Sequence, residues 1–289
     1  MAVSVLTLLR GRHAHLRNLL KGLAQQTRRP DEVVICWMGE DPAADLPHLD
    51  DVPVRHVRAD GDPMPLAAAR NRAADTARGE TLIFLDVDCI PSATLVERYE
   101  SEMRERDALL LGEVLYLPAG AVADGPLDYG ALDRDGRVHP AKPPIPSEGV
   151  REERDHGELW GLSFALRRDR YLSLGGMDER FTGYGAEETD FAARLGQAGV
   201  PVFWTAGARA YHQHHPVHVP PLHQFDSILA NARRFHGKHG RWCMDYWLGQ
   251  FRDAEFVRWS PEAVAIEVLR RPSEAEVHAS RRGGEQLFS

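Results

Sequence analysis

Along the N-terminal part of the chain, the pattern of apolar and polar positions predicts strands and helices in turn. Residues 3–9 form an apolar run typical of a buried strand, and Leu16, Leu19, Leu20 and Leu23 then recur at helical spacing. Further strands are predicted over residues 32–37, 54–58 and 81–86, with a helix over residues 66–77. This order is typical of βαβ units, a mostly parallel sheet, and ligand binding at the carboxyl ends of its strands.

The remaining two thirds of the chain are less regular. A strand is predicted over residues 109–116, and residues 117–157 are then so rich in Pro, Gly and charge that we expect a long surface loop, or a mobile lid at the acceptor. Beyond it the pattern predicts helices over 168–174, 187–198, 222–236, 242–251 and 261–269, short strands over 202–204 and 208–211, and a frayed tail over 279–289. We therefore expect a main domain over residues 1–215 and a helical C-terminal extension over 216–289 packed on it.

Composition excludes several classes of protein. The 289 residues are 43% hydrophobic, enough for a sizeable core, and the net charge of -8 argues against nucleic-acid binding. Three widely spaced cysteines suggest neither a disulfide framework nor a zinc site, so a reducing, cytoplasmic location is expected. The first apolar run stops at Arg10, too soon for a signal peptide, and no run approaches the ~20 residues of a membrane span. The aromatic residues of the extension are expected to pack on the domain, with peripheral membrane contact as the alternative.

Two acids follow a predicted core strand in the stretch "FLDVDCIP". Asp86 and Asp88 would share one face of an extended chain, where two carboxylates make a hard-oxygen site for Mn²⁺ or Mg²⁺. A simple strand-end turn is the alternative. A second alternative is a haloacid-dehalogenase-like phosphatase with Asp86 as its nucleophile, although Cys89 and Ile90 stand where such enzymes usually have Gly-Thr.

Three segments together resemble glycosyltransferase family 2 enzymes that have a galactosyltransferase-type catalytic region. They are "AAARNRAADTARGETLIFLDVDC" (67–89), "GLSFALRRDRYLSLGGMDERFTGYGAEETDFAARL" (161–195) and "AYHQHH" (210–215). The resemblance implies the GT-A fold, which is a Rossmann-like α/β mixed sheet flanked by helices. It also implies a metal-dependent, inverting hexosyltransferase that uses a nucleoside diphosphate sugar, with UDP as the expected nucleotide.

The resemblance also implies a role for each matching residue. Asp88, Asp86 and His212 would bind the metal, with Asp86 on the ribose as the alternative and His214, on the same face of an extended chain, as the alternative to His212. Arg10, Arg12, Arg70 and Asn71 would face the nucleotide or its phosphates, and Tyr184 would be the platform beside the sugar. Glu187 would bind hydroxyls of the acceptor or the sugar, and Glu188, where many relatives have Asp, would be the catalytic base.

Alternatives remain at two of these segments. Acids in the first turn of a helix also complement the helix dipole, so Glu187, Glu188 and Asp190 have a purely structural explanation as well. His215, His218 and His223 are expected to be surface residues with no role. A protein that binds the nucleotide sugar without turning it over is the non-catalytic alternative. In every case the expected partners are a nucleotide-sugar donor and a hydroxyl-bearing saccharide, lipid or small molecule.

Overall fold

A computed structural model describes residues 1–283 and 287–288. The helices are α1 His13–Ala24, α2 Leu66–Thr76, α3 Leu95–Glu105, α4 Tyr129–Asp135, α5 Arg168–Ser173, α6 Glu187–Gln197, α7 Phe225–His239, α8 Asp245–Asp253 and α9 Glu274–Ser280. The strands are β1 Val3–Leu9, β2 Glu32–Met38, β3 Val54–Ala59, β4 Thr81–Leu85, β5 Cys89–Pro91, β6 Leu109–Tyr116, β7 Arg137–Val138, β8 Val150–Glu153, β9 Ser163–Arg167, β10 Val202–His212, β11 Val217–His218, β12 Val257–Arg258, β13 Glu267–Val268 and β14 Arg281–Arg282. Short 3-10 turns occupy His156–Glu158 and Leu222–Gln224.

The centre of the molecule is a mixed sheet with strand order β3-β2-β1-β4-β9-β6-β10-β5, to which β7 and β8 add at β6 and β10. The first four strands of this order are parallel, β9 runs antiparallel to both of its neighbours, and β6 and β10 are parallel to each other. The α/β mixed sheet expected from the sequence is therefore confirmed.

Helices cover both faces of the sheet and enclose two apolar layers. The leucines of α1 join Val96 and Tyr99 of α3 in the layer on one face. Alanines of α2 pack with Tyr171 of α5 and Phe191 of α6 in the layer on the other face. Because both faces are covered, strands such as β1 and β2 are buried along their whole length, and this explains their continuous apolar runs.

The two short strands predicted over residues 202–204 and 208–211 form one continuous strand. Strand β10 runs unbroken through Gly207, which has a φ of +74°, and its register against β6 shifts between Thr205 and Ala210. A bulge at this glycine replaces the predicted break, because the backbone can kink there without leaving the sheet.

The segment from residue 117 to 157 contains more structure than expected. It includes α4, which buries Leu132 against Leu115 and Tyr211, and the strands β7 and β8 at the edges of the sheet. The segment is thus anchored in several places, and its action as a lid stays a prediction.

The extension after residue 215 forms an apolar cluster of its own, built from α7, α8 and the buried side chains of Phe256 and Trp259. The predicted helix over 261–269 is wrong: this stretch begins with a turn at Ser260 and ends in β13, which pairs with β12. The predicted frayed tail is wrong for its first residues, because Ser280 ends α9 and β14 pairs with β11. The rest of that prediction lies partly on residues 284–286 and 289, outside the described residues. None of the described helices is long and apolar enough to cross a membrane.

Glu100 in α3 provides a test of the packing of this helix on the N-terminal strands. It accepts a hydrogen bond from Arg28 Nε at 2.8 Å and another from Arg104 Nη2 at 2.6 Å. Burial opposes ionisation, but these guanidinium groups prevail and lower the pKa of Glu100 from 4.5 to about 2. Because the folded pKa lies below the unfolded one, this stabilisation is present above pH 4.5 and is lost as the pH falls toward 2.

We expect Glu100→Gln to lower the free energy of unfolding at pH 7 by about 1–3 kcal/mol, because hydrogen bonds to a charged group are lost. The difference from the wild type should shrink between pH 4.5 and pH 2, where the wild-type carboxylate becomes protonated. Urea unfolding at several pH values measures both effects. The exposed Glu105→Gln in the same helix is the control and should change stability by less than about 0.5 kcal/mol. Equal stability of Glu100→Gln and the wild type at pH 7 would contradict this account.

Candidate active site

Strand pairing brings the paired acids and the histidine segment together. The short strand β5 lies antiparallel to the end of β10, so that Cys89 is opposite His212. The backbone N–H of Gln213 also donates to the carbonyl of Asp88 over 2.7 Å. Asp88 and His212 are far apart in sequence, yet this register places them side by side at the edge of the sheet where β1 and β4 end.

One carboxylate and two imidazoles converge at this point. Asp88, His212 and His215 each offer a ligand atom, and these atoms all lie within 4.8 Å of one another, the one such group found among residues 1–283 and 287–288. Asp86 and His214 are outside this group, so of the two predicted histidines the structure brings His212 to Asp88. His215 was expected to have no role and instead belongs to the cluster.

Residues of the loop after β1 and of α1 also reach Asp88, which is 1% exposed. Arg12 forms an ion pair with it, His15 Nδ1 lies 2.5 Å from its Oδ1, and His215 Nε2 lies 3.5 Å from its Oδ2. Sequence reasoning missed His15, although a histidine in the first turn of the helix after the first strand would face this edge of the sheet.

The donor chemistry of the cluster fits a divalent cation. Burial lowers the pKa of His212 well below its usual value and that of His215 to about 4, so both imidazoles are neutral and offer a free lone pair. Nε2 of His214 is also buried, and no protein group in the described part of the chain hydrogen-bonds to it. A buried carboxylate with neutral imidazoles is a ligand set that suits Mn²⁺.

A second group of charges lies where α6 begins. The guanidinium of Arg70, on α2, donates from Nη1 to Glu187 Oε1 at 3.0 Å and from Nη2 to Glu188 Oε1 at 3.3 Å. Arg70 and Glu187 are buried, whereas the side chain of Glu188 remains 21% exposed. The predicted base is therefore the carboxylate of the pair that is more open to solvent.

These neighbours separate the two carboxylates chemically. Burial and the charge of Glu188 raise the pKa of Glu187 to about 8, although Arg70 opposes both effects. Burial opposes the charge of Arg70 as well, but Glu188 and Glu187 prevail and raise the pKa of its guanidinium. Burial likewise raises the pKa of Asp86, against the nearby charges of Arg12 and Arg70. Arg70 thus stays charged, and the environment of Glu187 favours the protonated form of its carboxyl group.

Two predicted nucleotide contacts have partners within the protein. Arg10 donates from Nε to the carbonyl of Met38 at 2.9 Å and from Nη2 to that of Gly61 at 2.8 Å, so it joins the loops after β2 and β3. Asn71 donates to the carbonyl of Met177 at 2.8 Å and accepts from the backbone N–H of the same residue at 2.8 Å. Both side chains therefore support loops around the site.

Aromatic rings border the site on two sides. Tyr184 packs against Trp247 of α8 with ring centroids 5.3 Å apart and the rings tilted by 36°, and burial raises the pKa of its hydroxyl. On the other side the ring of Tyr116, at the end of β6, lies 4.7 Å from that of His212. The sequence indicated Tyr184 but neither Trp247 nor Tyr116.

The comparisons with known proteins agree with this geometry. Residues 4–120 match the family profile described as "Glycosyl transferase family 2", and residues 147–217 match the one described as "N-terminal domain of galactosyltransferase". The first match assigns residues 4–120 to glycosyltransferase family 2. The two matched segments contain Arg12, Asp88, Glu188 and His215, so both parts of the site lie within them.

Two curated relatives of the chain extend well beyond the region of similarity. "O-antigen biosynthesis protein RfbC" of Myxococcus xanthus is 29% identical over 218 residues, which cover 73% of this chain and 17% of that protein. "Uncharacterized glycosyltransferase YfnE" of Bacillus subtilis (strain 168) is 26% identical over 204 residues, covering 57% of this chain and 51% of that protein. The chain thus spans about half or less of the length of these relatives.

Solved structures of low sequence identity share the GT-A fold of the chain. Residues 1–349 of TarS from S. aureus superpose with a TM-score of 0.55 at 16% identity, covering 89% of this chain and 72% of that one. A structure of GalNAc-T7 with UDP, GalNAc and Mn²⁺ gives a TM-score of 0.50 at 17% identity and covers 74% of this chain and 43% of that one. These likenesses establish the fold expected from the sequence.

Gly161 provides a test of the packing around Glu188. A methyl group at this position would overlap Glu188 Oε1 and Arg70 Nη2. We expect Gly161→Ala to displace both side chains in a crystal structure and to lower the free energy of unfolding by about 1–3 kcal/mol. Gly237→Ala in α7 has open space around it, and as the control it should be neutral or stabilise the protein by up to about 1 kcal/mol. An unmoved Arg70–Glu188 pair in Gly161→Ala would contradict this packing.

Proposed function

We propose that this protein transfers a sugar from a nucleoside diphosphate sugar to an acceptor hydroxyl, in a single displacement that inverts the anomeric centre. The observation that carries the proposal is a pair of charged groups that both act on Asp86 after β4. One consists of Asp88 with Arg12 and the histidines, and the other consists of Glu188 held by Arg70. The first suits a diphosphate and its cation, and the second suits removal of a proton from an acceptor.

Asp88, His212 and His215 would hold the divalent cation. When bound there, Mn²⁺ or Mg²⁺ would supply positive charge to the diphosphate as it leaves. The side chain of Arg12, 40% exposed beside Asp88, is available to the same phosphates. Asp86 is not among the converging ligands, which supports a contact with the ribose.

We infer that UDP is the nucleotide of the donor. The GalNAc-T7 structure contains UDP and Mn²⁺, and one structure of TarS is a complex with UDP. Glu40 lies beside the first loop, since it accepts a hydrogen bond from the N–H of Gly11 at 3.0 Å, and it is our candidate for contact with the base. The three cysteines are free and buried, which supports a reducing compartment such as the cytoplasm.

Glu188 would take the proton from the acceptor hydroxyl as this hydroxyl attacks the anomeric carbon. Its exposure leaves the carboxylate within reach of an acceptor, and the ion pair with Arg70 at 3.3 Å holds it in place. Glu187, whose pKa is raised by burial and by Glu188, would in its protonated form donate a hydrogen bond to a hydroxyl of the donor or the acceptor. Tyr184 would support the apolar face of the sugar. The comparisons favour this chemistry over a phosphatase with Asp86 as nucleophile.

The two glutamates have opposite expected sensitivities to the same substitution. Glu188→Gln should reduce transfer by about 10²–10⁴-fold, because it removes the base, while binding of UDP with Mn²⁺ stays near the wild-type level. Glu187→Gln should retain most activity, because a neutral amide replaces a protonated carboxyl of the same shape. Release of nucleotide from a panel of UDP-, GDP- and dTDP-sugars, with titration calorimetry for binding, measures both. Full activity in Glu188→Gln would refute its role as the base.

The proposed metal ligands can be tested by measuring Mn²⁺ binding, which does not require sugar transfer. Asp88→Ala and His215→Ala should each weaken Mn²⁺ binding in the presence of UDP by about tenfold or more, because one of few ligands is lost. His223→Ala is the matched control, since His223 packs against His218, with ring centroids 4.0 Å apart, and is not part of the cluster. Titration of free Mn²⁺ by electron paramagnetic resonance gives the affinities. Wild-type affinity in His215→Ala would remove this residue from the ligand set.

A further inference from the structure

The loop that precedes Glu187 and Glu188 has an unusual backbone. Gly183 and Gly185 have φ values of +79° and +88°, and Ala186, the residue that caps α6, has a φ of +73° although it is not a glycine. The left-handed region is unfavourable for an alanine, so such a conformation persists only where surrounding groups hold it. The direction in which α6 presents its first turn therefore depends on what binds this loop.

A single side chain of the C-terminal extension holds the loop. Asn231, in the middle of α7, is 1% exposed. Its Nδ2 lies 2.9 Å from the carbonyl of Thr182, 3.3 Å from that of Tyr184 and 2.9 Å from that of Gly185. Three backbone acceptors within four residues thus share the two hydrogens of one amide, and they have to converge to do so.

Other contacts connect the same two parts of the molecule. A side chain larger than hydrogen at Gly183 would overlap Ser227 of α7, so the loop and the helix are in close contact. Further along α6, the fully buried Asp190 accepts a hydrogen bond from His239 Nε2 at 2.9 Å and pairs with Lys238 Nζ at 2.7 Å. These contacts join α6 to α7, but Asn231 is the residue that binds the backbone directly ahead of the two glutamates.

We propose that Asn231 is a positioning residue for the transfer reaction. By fixing the carbonyls of residues 182, 184 and 185, it sets the orientation of the first turn of α6 and hence the position of the Glu188 carboxylate. The extension after residue 215 is then an integral part of the active site. This inference rests on the proposed function of Glu188.

The test compares Asn231→Ala with the milder Asn231→Ser, whose hydroxyl can still donate one hydrogen bond. We expect kcat to fall by about ten- to a hundredfold in Asn231→Ala, since a small displacement of a catalytic group has effects of that size, and by less in Asn231→Ser. The affinity for UDP with Mn²⁺ should change less than about threefold, because the proposed site for these ligands is the group around Asp88 and not the loop before α6. Hydrogen exchange of the amides of residues 182–190 should become faster in both variants, and more so in Asn231→Ala than in Asn231→Ser.

Ile228→Val is the control for a loss of stability alone, because Ile228 is an apolar side chain buried in the cluster of α7 and can form no hydrogen bond to these carbonyls. At equal thermal destabilisation it should keep wild-type kcat and wild-type exchange over residues 182–190. The proposal is overturned if kcat of both Asn231 variants equals that of Ile228→Val, or if exchange in this loop is unchanged. If the wild type transfers no sugar from any donor, the proposed function fails, and the exchange experiment still decides whether Asn231 holds the loop.

Discussion

The buried guanidinium of Arg70 is the interaction on which the arrangement of the site depends. It lies between the carboxylates of Glu187 and Glu188, and its charge also acts on Asp86. Without a cation there, three acids so close together in a mostly buried environment would repel each other and take up protons. Because Arg70 is on α2 and the glutamates are on α6, the same interaction also joins the N-terminal parallel strands to the second half of the chain.

The sheet also brings the group around Asp88 to the same end of the molecule as the group around Arg70. Strand β9 inserts antiparallel between β4 and β6, and Gly161, just before it, contacts the Arg70–Glu188 pair. Strand β5 reverses direction after Asp88 and pairs with the end of β10 beside His212. One group thus combines the carboxylate of Asp88 with Arg12 and neutral imidazoles, and the other combines the guanidinium of Arg70 with two carboxylates.

Long-range pairing explains the residues that sequence reasoning missed or misplaced. Asn71 lies in a motif next to Arg70, but its amide is engaged by the backbone of Met177, and no local pattern predicts this contact. Asn231 looks like an ordinary helical asparagine until α7 is seen against the loop that begins at Thr182. His215 belongs to a run of histidines after a strand, which by sequence alone is typical of a polar surface loop. In the structure, the chain after His212 brings the ring of His215 back to Asp88.

The sequence by itself determined the first strands and helices, the mixed α/β class and the segments that carry the chemistry, because apolar periodicity and short motifs are local properties. It also identified Asp88, His212, Arg70 and Glu188 as residues of interest. Only the tertiary structure decided which side chains face each other. Strand register brings His212 beside Asp88, the path of the chain after β10 adds His215 to this cluster, and burial with the charge of Glu188 raises the pKa of Glu187. Register and burial depend on contacts between residues far apart in the chain, and these contacts exist only when the whole fold has formed.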